Sequence, residues 1–72
     1  MEEEKIRELR AKIMTLDNNT LINLRKVNTI IEDVELEQEV NLVWGSLIEA
    51  RNTLDWVRRH FRTADVLLAE KL

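Results

Sequence analysis

The sequence predicts an all-α protein, in the form of a long antiparallel helical hairpin that dimerises into a four-helix bundle. Composition is the first reason: the 72 residues include no proline and one glycine, and 35% of them are charged. Such a chain is suited to long helices and has few residues for tight turns. The second reason is that apolar residues recur at helical spacing in two stripes, one in each half of the chain.

The first stripe predicts a helix over about residues 3–32. Negative charge at Glu2 to Glu4 favours a helix start, because the first turn of a helix carries a partial positive charge. The apolar positions then follow at steps of three and four residues, except that Leu16 and Leu24 are eight residues apart. They are Ile6, Leu9, Ile13, Leu16, Leu24, Val27, Ile31 and Val34.

A possible break in this helix lies at Asp17-Asn18-Asn19-Thr20. These side chains compete for backbone hydrogen bonds and are common at caps and turns. If Thr20 is counted in the stripe, one added residue carries a single helix through the segment. A bundle of three helices, with a break at Asp17–Thr20, is therefore the alternative to the hairpin.

The second stripe predicts a helix over about residues 36–71. Val34 and Leu36 are only two residues apart and cannot share one helix face, so we place a bend at about 32–36 within a single domain of residues 1–72. Gly45 is interpreted as an outward-facing residue of a continuous helix. The seam consists of Leu36, Val40, Val43, Leu47, Ala50, Leu54, Val57, Phe61, Ala64 and Leu68.

Length argues that one chain does not suffice. A helix over 36–71 would be roughly 54 Å long, whereas a compact chain of this size has a radius of gyration of about 11 Å. Two helices side by side leave apolar surface in water, so we expect self-association. The predicted core and oligomer interface comprises Leu36, Val40, Val43, Leu47, Leu54, Val57 and Phe61, together with Ile6, Leu9, Ile13, Leu24, Val27 and Ile31.

Charge is distributed unevenly along the predicted rod. Acidic residues crowd the bend at Glu32, Asp33, Glu35, Glu37 and Glu39, and basic residues lie toward the other end at Arg7, Arg10, Lys12, Arg58, Arg59 and Arg62. Two rods packed antiparallel would set acidic ends against basic ends. Alternatively, the Arg58–Arg62 band could bind nucleic-acid phosphates. Trp44 and Trp56 flank the seam, where they would pack in the bundle or contact a partner.

Several classes of site are excluded by composition. The chain has no cysteine and one histidine, so we expect no zinc or iron–sulfur site and no cofactor. His60 is interpreted as a surface or interface residue. The acidic start does not resemble a signal peptide, and no apolar run reaches the roughly 18 residues of a membrane span. We therefore expect a cytoplasmic protein with no membrane partner.

Two resemblances accompany this pattern. Leu9-Arg10-Ala11-Lys12-Ile13, Leu16-Asp17, Leu21 and Leu24 resemble the first helix of the all-helical chorismate mutases. The resemblance implies one continuous helix here and an active-site role for Arg10, but the family's second arginine and its lysine fall on Val27 and Gln38. In size and layout, the chain is also similar to the RNA-binding helical hairpins of the Rop type.

The function predicted from these observations is that of a small non-enzymatic oligomerisation or protein-interaction module. It would act as an adaptor, a chaperone-like protein or an inhibitor, with itself and another protein as partners. The alternatives are a nucleic-acid-binding regulator that uses the basic band and a relic of a helical chorismate mutase.

Overall fold

A computed structural model describes residues 1–37 and 41–72, which form two α-helices packed side by side as an antiparallel hairpin. Helix α1 spans Glu3–Glu35 and helix α2 spans Asn41–Ala69. The Cα atoms extend over 55 × 14 × 10 Å, with a radius of gyration of 16.5 Å against about 11 Å for a compact chain of this length. The predicted all-α hairpin and its rod shape are confirmed.

Helix α1 continues through Asp17–Thr20 without a break, so the three-helix alternative is wrong. The Thr20 hydroxyl donates a hydrogen bond of 2.9 Å to the Leu16 carbonyl one turn back, which satisfies this side chain within the helix. The Asp17 carboxylate binds an arginine of α2 and does not cap the backbone. The side chains that suggested a turn are thus engaged in ways that leave the helix intact.

The end of α1 differs from the prediction. Winding continues to Glu35, about three residues beyond the predicted end, and the backbone N–H groups of Leu36 and Glu37 then bond to carbonyls three residues back. Leu36, expected to begin the second helix, lies in this turn with its side chain exposed. The predicted seam residue Val40 and the neighbouring Gln38 and Glu39 lie outside the described residues.

Helix α2 passes through Gly45 without interruption, as the outward-facing interpretation predicts. Outside its own stretch of helix, a Cβ atom placed on Gly45 would meet no atom of the described residues within 4 Å. The glycine therefore serves no close approach of another described segment, and its flexibility is a cost to the helix.

The contact between the helices contains few fully buried side chains. Among the described residues, only Ile6 and Ile31 are buried, with 1% and 4% of their surface exposed. The other residues on the contact line are half-buried, and they follow steps of three and four residues on both helices. On α1 the line is Ile6, Arg10, Ile13, Asp17, Thr20, Leu24, Val27, Ile31 and Val34; on α2 it is Leu47, Arg51, Leu54, Arg58, Phe61, Asp65 and Leu68.

We expect Gly45→Ala to raise the free energy of unfolding by up to about 1 kcal/mol, because alanine restricts the unfolded chain and Gly45 has room for the methyl group. Urea denaturation followed by circular dichroism, at one fixed protein concentration, measures the change. A lower stability of the variant would contradict a continuous helix at this position.

Candidate functional site

Among the described residues, two ion pairs join the helices. The Arg58 guanidinium donates two hydrogen bonds to the Asp17 carboxylate, of 2.9 Å from Nε and 3.2 Å from Nη2. Arg10 binds Asp65 in the same two-point manner, at 2.8 and 3.3 Å. The residue numbers of each pair add to 75, so both pairs report one antiparallel register. Bidentate pairs of this kind fix geometry as well as charge.

The ion pairs shift the titration of both aspartates. Hydrogen bonds from Arg58 lower the pKa of Asp17, and those from Arg10 lower the pKa of Asp65. The Arg58 and Asp17 side chains are only 14% and 17% exposed, whereas Arg10 and Asp65 are more open to solvent. The Arg58–Asp17 pair is therefore the better shielded of the two, and loss of either partner would leave a charge against the helix contact.

The ion pairs lie on one side of the hairpin, which we call the ion-pair face. Each residue of a helix turns by about 100° from the one before it. Leu9 and Arg10 therefore flank the line of Ile6 and Ile13 from opposite sides. The same relation holds in α2 for Val57 and Arg58.

The opposite side is the apolar face, formed by two columns with seven-residue spacing. Leu9 precedes Arg10, and Val57 precedes Arg58, so each lies across the contact line from its charged neighbour. Because the ion pairs link both helices on one side, the columns that contain Leu9 and Val57 lie together on the other side. Leu16, Ile30 and Val43 in these columns are about half exposed, although all three are large apolar residues. The columns are Leu9, Leu16, Asn23 and Ile30 on α1, and Val43, Ala50, Val57 and Ala64 on α2.

The structure thus divides the residues of the predicted core and oligomer interface between two environments. Leu47, Leu54 and Phe61 lie on the contact line with α1, as do Ile13, Leu24 and Val27 with α2. Ile6 and Ile31 are fully buried between the helices. The other predicted residues on the described helices lie on the apolar face, and they are Leu9, Val43 and Val57.

The ion-pair face carries a groove of about 320 Å³. Ile13, Met14, Phe61 and Val66 provide its apolar lining, and Arg62 lies with the aspartates of the ion pairs at the same groove. Both aspartates are already bound by arginines, Asp17 by Arg58 and Asp65 by Arg10, so these carboxylates serve the helix contact. Met14 remains 59% exposed there.

The predicted basic band is largely engaged by carboxylates. Arg58 binds Asp17 between the helices, and Arg59 lies 3.0 Å from Asp55 in an exposed pair within α2. Arg62 is exposed at the ion-pair groove. A phosphate would have to displace Asp17 to reach Arg58, whose side chain is only 14% exposed, whereas the Arg59 side chain is 67% exposed.

The tryptophans occupy different places. The Trp44 indole N–H donates a 3.1 Å hydrogen bond to the Glu35 carboxylate, which ties the start of α2 to the end of α1. Trp56 is exposed and meets the His60 ring edge-on, with the ring centroids 4.9 Å apart. Trp56 is the more exposed of the two rings, at 57% against 41% for Trp44.

The positions matched to the mutase resemblance do not form an open cationic site. Arg10 is held by Asp65, and Val27 is half-buried on the contact line. Gln38, the third matched position, lies outside the described residues. No group of three or more metal-binding side chains occurs among residues 1–37 and 41–72.

Comparison with known proteins gives no family for this chain: no family model, no curated protein and no solved structure matches it. None of the described helices combines the length and the apolar character needed to cross a membrane.

Sequence reasoning missed Asp17 and Asp65 as contact residues. A signal for them exists: Ile6, Arg10, Ile13, Asp17 and Thr20 continue the alternation of four- and three-residue steps with no added residue. This register was not chosen because the contact positions of paired helices are expected to be apolar, and it places Arg10 and Asp17 there.

Stability should fall in acid, and Asp17 should carry part of the fall. Because Arg58 holds the folded-state pKa of Asp17 below its ordinary value of 3.8, the stabilisation is present above that pH and is lost as pH drops through the lowered pKa. We expect Asp17→Asn to flatten the acid limb of a plot of unfolding free energy against pH. Asp55→Asn, which removes an aspartate from an exposed pair within α2, should cost less unfolding free energy at neutral pH than Asp17→Asn. Parallel curves for Asp17→Asn and the parent would contradict this role.

Proposed function

We propose that this chain is a non-enzymatic helical interaction module that works by associating with other helices through its apolar face, as an adaptor, a chaperone-like protein or an inhibitor. The observation that carries the proposal is the half exposure of Leu16, Ile30 and Val43 on one side of the hairpin. Exposed apolar surface that gathers on one side of a small protein marks interaction sites.

The placement of the charged groups supports the same proposal. The aspartates with lowered pKa values are bound by arginines at the helix contact, so they act in assembly of the hairpin. Arg58 is bound by Asp17 at the helix contact and is therefore withdrawn from phosphate binding, which favours protein association as the role of this region.

An extract of cells that express the tagged chain provides the test. We expect size-exclusion chromatography to show the chain in a complex larger than a monomer, and Leu16→Lys to shift it to monomer size because a charge on the apolar face opposes burial. Met14→Lys is the matched control, since Met14 is 59% exposed against 51% for Leu16 and lies on the ion-pair face. Monomer elution of the parent chain in the extract would overturn the proposal.

Stability offers an independent check. Leu54 is half-buried in the single hairpin, and association through the adjacent apolar face would complete its burial. We expect Leu54→Ala to cost about 2–5 kcal/mol of unfolding free energy. Leu42→Ala, at a residue 89% exposed, should cost little. Chemical denaturation measures both, and a loss below about 0.5 kcal/mol for Leu54→Ala would count against the proposed burial.

A further inference from the structure

We propose that the occupant of the apolar face is a second copy of this chain, packed face to face with its rod antiparallel to the first, so that two hairpins form a four-helix bundle. This inference names the partner of the face described above and therefore rests on the proposed function. Three independent features of the chain carry it: the rotation of the apolar stripes, the exposed area and the charge asymmetry.

The apolar stripes of both helices are turned away from the contact line, and both turn to the same side. The apolar stripe of α1 includes Leu9, whereas the contact line includes Arg10, one residue later. Because the stripe and the contact line differ by one 100° step at every second position and coincide at the others, their centres lie roughly 50° apart. In α2 the exchange of Val57 for Arg58 has the same effect. A helix at one corner of a square bundle needs its apolar centre about 45° from the direction of each neighbour. The hairpin therefore has the helix orientations of half a bundle.

The chain exposes more surface than a compact protein of its mass, and the excess is close to the area that one partner of a dimer buries. The chain exposes 5712 Å², whereas a compact protein of 8.6 kDa exposes about 4,700 Å². The excess is on the order of 1,000 Å². Each partner of a stable interface buries about 800 Å². A second hairpin of the same length covers the whole face, from Leu9 to Ile30, without additional chain.

The charge distribution selects the antiparallel arrangement. Residues 1–18 and 57–72 form the half of the hairpin opposite the bend, which we call the open end. They carry eight basic and seven acidic side chains. Residues 19–56, which form the half with the bend, carry three basic and seven acidic side chains. Parallel rods would place a net −4 half against its own copy, whereas antiparallel rods place each −4 half against a +1 half.

The purified chain provides the first test, by light scattering over a range of concentrations. We expect a dimer mass for the parent and for Met14→Lys, and a monomer mass for Leu16→Lys, because only Leu16 lies on the proposed interface. Circular dichroism reports whether each variant keeps its helices. A parent chain that stays monomeric, or assembles as a trimer, overturns the inference without any variant. Equal disruption by Met14→Lys overturns the choice of face.

Spin labels test the orientation, and the absence of cysteine makes each label unique. With a label at Glu70→Cys, near the open end, the antiparallel dimer predicts a label-to-label separation of roughly 45 Å, most of the 55 Å rod. With a label at Asn19→Cys, near the middle of α1, the separation should be short. A mixture of Glu70→Cys and Glu32→Cys chains should also give a short distance. A short distance between two Glu70→Cys labels would show parallel rods and overturn the inference.

The two proposals fail in different ways. A purified chain that is monomeric, but that elutes in a larger, Leu16-dependent complex from the extract, overturns the second copy as occupant and leaves the interaction module in place. A chain that is monomeric in both settings overturns both proposals.

Discussion

A pair of helices meets along a single line, and this constraint governs the whole molecule. A side chain on that line is screened by one neighbouring helix only, so most of the contact residues are half-buried and only Ile6 and Ile31 are fully enclosed among the described residues. The hydrophobic effect grows with the apolar area removed from water. The hairpin therefore leaves much of its own potential stabilisation unused, and the apolar face is the part of the surface where that stabilisation remains available.

The ion pairs divide the surface of the hairpin in two. By placing Arg10 and Asp17 of α1 on the contact line, the sequence turns Leu9 and Leu16 out of the contact and onto a common face. An entirely apolar contact line would have buried these leucines between the two helices and left little to bind a partner. Charge at the contact thus determines where apolar surface is exposed, and so links the stability of the hairpin to the proposed assembly.

Much of the fold could be predicted from the sequence, because helical periodicity and the lack of turn residues are local properties that survive in the structure. Helix α1 runs through Asp17, as the predicted helix over about residues 3–32 does, but the role of the Asp17 carboxylate could not be predicted from a local pattern. The partner that removes this carboxylate from the backbone is Arg58, which lies 41 positions further along the chain. The same pairing took Arg58 out of the predicted basic band. The apolar stripe and the observed contact line differ by one residue at every second position. Both have helical spacing, so the spacing alone does not choose between them, and the long-range ion pairs decide which one forms the contact.

Repeating apolar seams have a general weakness: one helix can slide past the other by two turns and still find apolar partners. The order of charges in this hairpin opposes that error. Arg10 and Asp17 are seven residues apart on α1, and Arg58 and Asp65 are seven apart on α2, with the signs alternating. A two-turn slip in one direction would set Arg10 against Arg58, and a slip in the other direction would set Asp17 against Asp65. Both misalignments bring like charges together near the helix contact, so the native alignment is the only one of the three that neutralises them.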